Sequence, residues 1–60
     1  MLSYSKNIGL GNGKRYVEGH CLAADTKPTD VGNGSCLIEM DTGKVYFFDE
    51  AGNQWKEFGA

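Results

Sequence analysis

Residues 35–58 read SCLIEMDTGKVYFFDEAGNQWKEF, and this stretch decides the fold. It divides into three short runs, residues 35–41, 44–50 and 54–58, each rich in Val, Ile, Tyr, Phe or Trp and separated by turn-forming residues. The pattern predicts a three-stranded antiparallel meander. In the first gap, Asp41-Thr42-Gly43-Lys44, Gly43 can take the positive φ of a tight hairpin turn and Asp41 can accept hydrogen bonds from backbone N–H groups. With Thr42 and Gly43 as a two-residue loop, Asp41 faces Lys44, Met40 faces Val45, Ile38 faces Phe47 and Cys36 faces Asp49. Side chains alternate across a sheet, so Cys36, Ile38, Met40, Val45 and Phe47 share one apolar face, the expected core.

The opposite face carries Leu37, Glu39, Tyr46, Phe48 and Glu50. An antiparallel sheet with one wet face alternates cleanly between apolar and polar, and Leu37, Tyr46 and Phe48 break that rule. Three arrangements accommodate them: cover by the N-terminal third of the chain, cover by another subunit, or exposure of a few aromatics, as on many small domains. In the second gap, residues 49–54 (DEAGNQ), Gly52 and Asn53 tolerate left-handed conformations and favour a short loop. A four-residue loop places Trp55 opposite Phe48 on the second face, whereas a bulge places it on the first. A buried Trp55 needs a partner for its indole N–H.

Upstream, residues 25–34 (DTKPTDVGNG) are connector chemistry. Pro28 biases Lys27 towards extended backbone, and Asn33-Gly34 is a turn signal just before the meander. Residues 15–24 (RYVEGHCLAA) suit a strand with Tyr16, Glu18, His20 and Leu22 on one side and Val17, Cys21 and Ala23 towards the other; Gly19 marks a bulge or a close approach. Residues 9–14 (GLGNGK) predict a hairpin or loop tip, since their spacing fits neither the Walker phosphate loop nor the dinucleotide fingerprint. In residues 1–8 (MLSYSKNI), Leu2 and Tyr4 alternate as in a strand that pairs with a neighbour, and equally as in a tail that folds on contact. Residues 1–13 are therefore read as a flexible or partner-docking arm. The expected fold is all-β in one small domain, residues 1–60: a small antiparallel meander of three C-terminal strands plus one or two N-terminal strands, completed by oligomerisation or by docking on a partner.

Composition points the same way. A chain of 60 residues makes at most one domain, and a domain of that size buries only about 60% of the surface its unfolded chain exposes. Such domains lean on disulfides, metal or partners, and this one has two Cys, one His and nine Gly. Assembly into a homo-oligomer, or docking on something larger, is the physical default. The net charge of −2, with six basic and eight acidic residues and no basic block, argues against a nucleic-acid partner. No apolar run approaches the roughly 18 residues of a membrane span, so no membrane partner is expected. The absence of a charged-then-apolar leader pattern leads to the expectation that the chain is made in the cytosol.

His20, Cys21 and Cys36 are the nearest approach to a metal or thiol site. They lack the paired-Cys and HxxxH spacings of zinc sites, and adjacent His20 and Cys21 point to opposite faces of a strand. No group that would orient a Cys–His pair can be named. Buried free thiols are the expectation, with no disulfide in a cytosolic product. Asp41-Thr42-Gly43 matches the tripeptide around the catalytic Asp of aspartic proteases, but those enzymes pair two such Asp residues and this chain has one. The turn reading prevails. No catalytic residue, metal or cofactor is assigned, and a non-enzyme is expected.

The segment 25–58 resembles a short module of tailed-phage and prophage structural proteins. The resemblance is carried by Asp25-Thr26-Lys27-Pro28-Thr29, then Asn33-Gly34-Ser35, then Glu39-Met40-Asp41-Thr42-Gly43-Lys44-Val45-Tyr46, and an acidic and glycine-containing loop before Trp55. It implies a non-enzymatic virion protein, most concretely a capsid decoration protein that stabilises the shell, with phage structural proteins as partners and the major capsid protein first among them. Its location would be the virion, after synthesis in the bacterial host cytoplasm. A tail, neck or fibre-associated module and a small cytosolic module that binds a host factor are the alternatives. On this reading the second face, Leu37, Tyr46, Phe48 and Trp55, is the adhesive surface. Leu2 and Tyr4 belong to an arm that adds a strand to a neighbour's sheet.

Overall fold

Five strands form one sheet in the computed structural model, which describes residues 2–59. They are β1 (Ser3–Gly9), β2 (Arg15–Cys21), β3 (Cys36–Glu39), β4 (Val45–Asp49) and β5 (Gln54–Glu57), lying side by side in sequence order. No helix occurs among the described residues, and the all-β expectation holds. The C-terminal meander is antiparallel throughout, as is the β1–β2 hairpin, but β2 and β3 run parallel. The sheet is therefore mixed. A parallel pair cannot be closed by a tight turn, so the chain must cross back over one face of the sheet. Residues 22–35 make that crossing.

The crossing decides which face is inside. It lays Lys27, Pro28 and Val31 over the face that carries Val17, Leu37, Tyr46, Phe48 and Trp55. Val17, Val31 and Phe48 form the core cluster, with Tyr4 and Trp55 packed against it. Leu37 is fully buried, and so is Ser35, whose hydroxyl accepts the Val17 N–H at 3.2 Å. The connector is stitched down by its backbone: Gly32 N–H donates to the Arg15 carbonyl at 2.9 Å, and Gly34 N–H donates to the Phe48 carbonyl at 3.1 Å. The two expected faces are thus exchanged. Ile38 (40% exposed), Met40 (65%) and Phe47 (39%), expected in the core, face outward. The cover on the other face comes from the chain itself, but chiefly from the middle connector rather than the N-terminal third.

The first hairpin is also longer than a two-residue turn. Gly43 N–H donates to the Glu39 carbonyl and Glu39 N–H to the Lys44 carbonyl, both at 2.8 Å, which leaves residues 40–43 as the loop. Gly43 closes it at φ 76°. Cys36 consequently pairs with Phe47, and Ile38 with Val45. This moves the register by two residues, which preserves the face of every side chain. At the second hairpin Phe48 pairs with Trp55 and Asp49 with Gln54, so a four-residue loop does place Trp55 opposite Phe48. Asn53 supplies its left-handed residue, at φ 52°.

Residues 3–9, expected as part of an arm, are an integral edge strand paired to β2. Met1, at the start of that arm, lies outside the described residues. The β1–β2 register slips between Tyr4 and Lys6, opposite Gly19 and Glu18. A Cβ at Gly19 would collide with the Ser3 backbone oxygen and crowd the Tyr4 Cα. Gly19 is thus both the bulge marker and the close approach that its isolation in a strand suggests.

Candidate functional site

Two polar clusters hold the connector to the sheet and fix the residues read from sequence as adhesive. Glu39 is 4% exposed, yet its carboxylate is fully engaged. Lys27 Nζ donates to Oε2 at 2.7 Å and Thr42 Oγ1 donates to Oε1 at 2.8 Å. Lys27, and secondarily Thr42, hold the Glu39 carboxyl below the usual carboxylate range. The same ammonium lies 4.5 Å from the centre of the Tyr46 ring, a cation–π contact that roofs the aromatic. Further along, Trp55 Nε1 donates to the Pro28 carbonyl at 2.8 Å. Its ring meets Phe48 edge-on, with centroids 5.2 Å apart.

The sequence-derived adhesive set is therefore interior. Leu37 and Phe48 are buried, Tyr46 and Trp55 are half-buried beneath the connector, and Tyr4 packs on the core with Arg15 over its ring at 5.2 Å. Leu2, just before β1, is half-buried. The reason is physical. The connector itself supplies the cover, so these side chains serve to fold the single chain.

The bare surface is the opposite face. It forms a groove of about 500 Å3, lined by Tyr16, Glu18, Cys36, Ile38, Met40 and Phe47 among others. Parity explains this lining, because these side chains alternate with Val17, Leu37 and Phe48 on the same strands. Phe58, 70% exposed, extends the apolar surface beyond β5, meeting Phe47 edge-on at 5.7 Å. Some polar groups on this side bond to one another. Tyr16 OH donates to Glu18 Oε2 at 2.6 Å, which also raises the Tyr16 pKa. Lys56 pairs with Asp49 at 3.2 Å and lowers the Asp49 pKa.

The thiols divide between the faces. Cys21 is buried on the covered side and Cys36 is half-buried in the groove, both unbridged. Burial pushes both pKa values up, so the protonated thiol predominates at neutral pH. His20 is exposed on the groove side, opposite in direction to Cys21. Among the described residues no group of three His, Cys, Asp or Glu side chains could hold a metal ion. Asp41 plays a structural part. Its carboxylate accepts the Ala23 N–H at 3.0 Å, tying the hairpin loop to the connector rather than bonding within its own turn.

The sequence draws attention to Ile38, Met40 and Phe47 but points them inside. The signal that turns them outward lies in the connector, where Val31 and Pro28 are apolar residues needing a surface of their own. No family model, curated protein or solved structure matches the chain.

Proposed function

We propose that the chain is a non-enzymatic structural protein of a phage virion, most concretely a capsid decoration protein, and that it works by docking through the bare groove face. The observation that carries the docking role is the exposure of Ile38, Met40, Phe47 and Phe58 together on one side of the sheet. Contiguous apolar surface of this kind marks a binding site more often than idle surface. The virion assignment is supported by the resemblance of residues 25–58 to phage structural modules. Within the fold those residues supply the connector, the meander and the latch between them, which suits a small rigid unit used in many copies. Many weak contacts repeated by symmetry become durable. Burial holds the Cys36 thiol in its protonated form and Glu18 is already bonded to Tyr16, which favours adhesion over nucleophilic chemistry in the groove.

Quantitative mass spectrometry of purified particles from a host carrying this gene tests the reading. Copy numbers comparable to the major capsid subunit are expected. A few to a few dozen copies would move the assignment to neck, tail or fibre. Complete absence from particles would overturn the virion role and leave a cytosolic binding module.

A further inference from the structure

The chain carries two Asn-Gly pairs, Asn12-Gly13 at the tip of the β1–β2 hairpin and Asn33-Gly34 at the end of the connector, and all four residues are exposed. Asparagine is a thermolabile residue. Its side-chain amide carbon can be attacked by the backbone nitrogen of the next residue, and a following glycine has no Cβ to crowd that attack.

The two pairs are alike at the electrophile. Lys14 N–H donates to Asn12 Oδ1 at 3.0 Å, and Glu50 N–H donates to Asn33 Oδ1 at 2.6 Å. Each amide carbonyl is thus polarised, with a donor in place for the oxyanion that forms on attack. They differ at the nucleophile. Gly34 N–H donates to the Phe48 carbonyl at 3.1 Å, whereas Gly13 N–H meets no partner among the described residues. That bond keeps the proton on the Gly34 nitrogen and fixes its peptide plane. Asn33 is pinned further, because its own N–H reaches Glu50 Oε2 at 3.4 Å and its neighbours Gly32 and Ser35 are buried. Asn12 sits between two exposed glycines, Gly11 and Gly13, both at φ 81°.

We propose that Asn12 is a site of spontaneous deamidation in the folded protein, and that the fold guards Asn33 from the same reaction. The Gly13 nitrogen bonds to Asn12 Cγ, the Cγ–Nδ2 bond breaks, and the displaced proton leaves with the nitrogen as ammonia. Water then opens the cyclic imide at either carbonyl, giving aspartate or isoaspartate, with nothing oxidised or reduced. Each conversion adds one negative charge to a chain of net charge −2, at a tip outside the core cluster. Asn33 reacts only when the connector lifts from β4, so its loss records time spent open. Asn12 loss records age alone.

The proposal depends on neither the docking nor the virion reading. Peptide mapping by mass spectrometry tests it on the native chain aged at neutral pH and physiological temperature, with a parallel sample unfolded in guanidinium chloride. Circular dichroism confirms the state of each sample. In the folded chain Asn12 should convert at least about tenfold faster than Asn33, as expected where reaction requires local opening. In denaturant the two rates should converge through acceleration at Asn33. Asn7, followed by the branched Ile8, should stay intact in both samples. An unchanged Asn12, equal rates at Asn12 and Asn33 in the folded chain, or a gap that persists in denaturant would overturn the proposal. So would conversion of Asn7 at the Asn12 rate.

Discussion

Phe47 and Phe48 are neighbours on β4, identical in chemistry and opposite in circumstance. Phe48 is 3% exposed, wedged between Val17, Val31 and the Trp55 ring; Phe47 is 39% exposed and touches the still more exposed Phe58. Both sides of this sheet are apolar, so hydrophobicity cannot distinguish them. What distinguishes them is the route of residues 22–35. Once β2 and β3 pair in parallel, the connector must cross one face, and the face it crosses becomes the core. The other is left bare. Inside and outside are here properties of topology laid over a sheet whose two faces are about equally greasy.

That contrast can be broken most severely at Phe48. Phe48→Ala removes a buried aromatic and leaves a cavity, at a cost of about 3–5 kcal/mol. A single core of this size rarely supplies more than about that, so thermal melts should show a largely unfolded chain at room temperature. Lys27→Met comes next, because it strips the cation from a buried carboxylate. The pH dependence sharpens the test. The Glu39 carboxyl is held low by Lys27 in the folded state, so its stabilising contribution is present at neutral pH, above the unfolded carboxylate pKa. It fades as pH falls through the folded value. The melting temperature of Lys27→Met should therefore lie well below native at pH 7, and the gap should narrow on acidification, when Glu39 can take a proton. Trp55→Phe keeps the ring packing but loses the indole bond to the Pro28 carbonyl, at about 1 kcal/mol by urea titration. Smallest is Met40→Ser on the bare side, which should stay within about 0.5 kcal/mol of native.

Local features were readable from local residues. Gly43 and Asn53 foretold two hairpins. At the second loop the sequence left a four-residue turn and a bulge both open, and the structure has the turn that carries Trp55 to Phe48. Gly19 signalled a bulge or a close approach, and Ser3 is the backbone that comes close. The length of the first loop was not readable, because Gly43 can close a two-residue or a four-residue turn equally well. Nor was the burial of Glu39. Its cation is Lys27, across the connector, and nothing adjacent in sequence announces the pair. The outward face was misplaced for the same reason. Leu37, Tyr46, Phe48 and Trp55 looked surplus to a core built on Ile38, Met40 and Phe47. The choice between the two sets belongs to the parallel β2–β3 join, a long-range event with no periodicity of its own.

Leu37 and Ile38 provide the most direct test of this account, being adjacent on β3, nearly equal in volume and apolarity, and on opposite faces. Urea unfolding of Leu37→Ala and Ile38→Ala should be compared at concentrations dilute enough for a monomer. Leu37, fully buried, should cost about 2–5 kcal/mol; Ile38, 40% exposed, should cost about 1 kcal/mol or less. The reverse order would put the core back on the Ile38 side, and with it remove the bare face on which the proposed docking role depends.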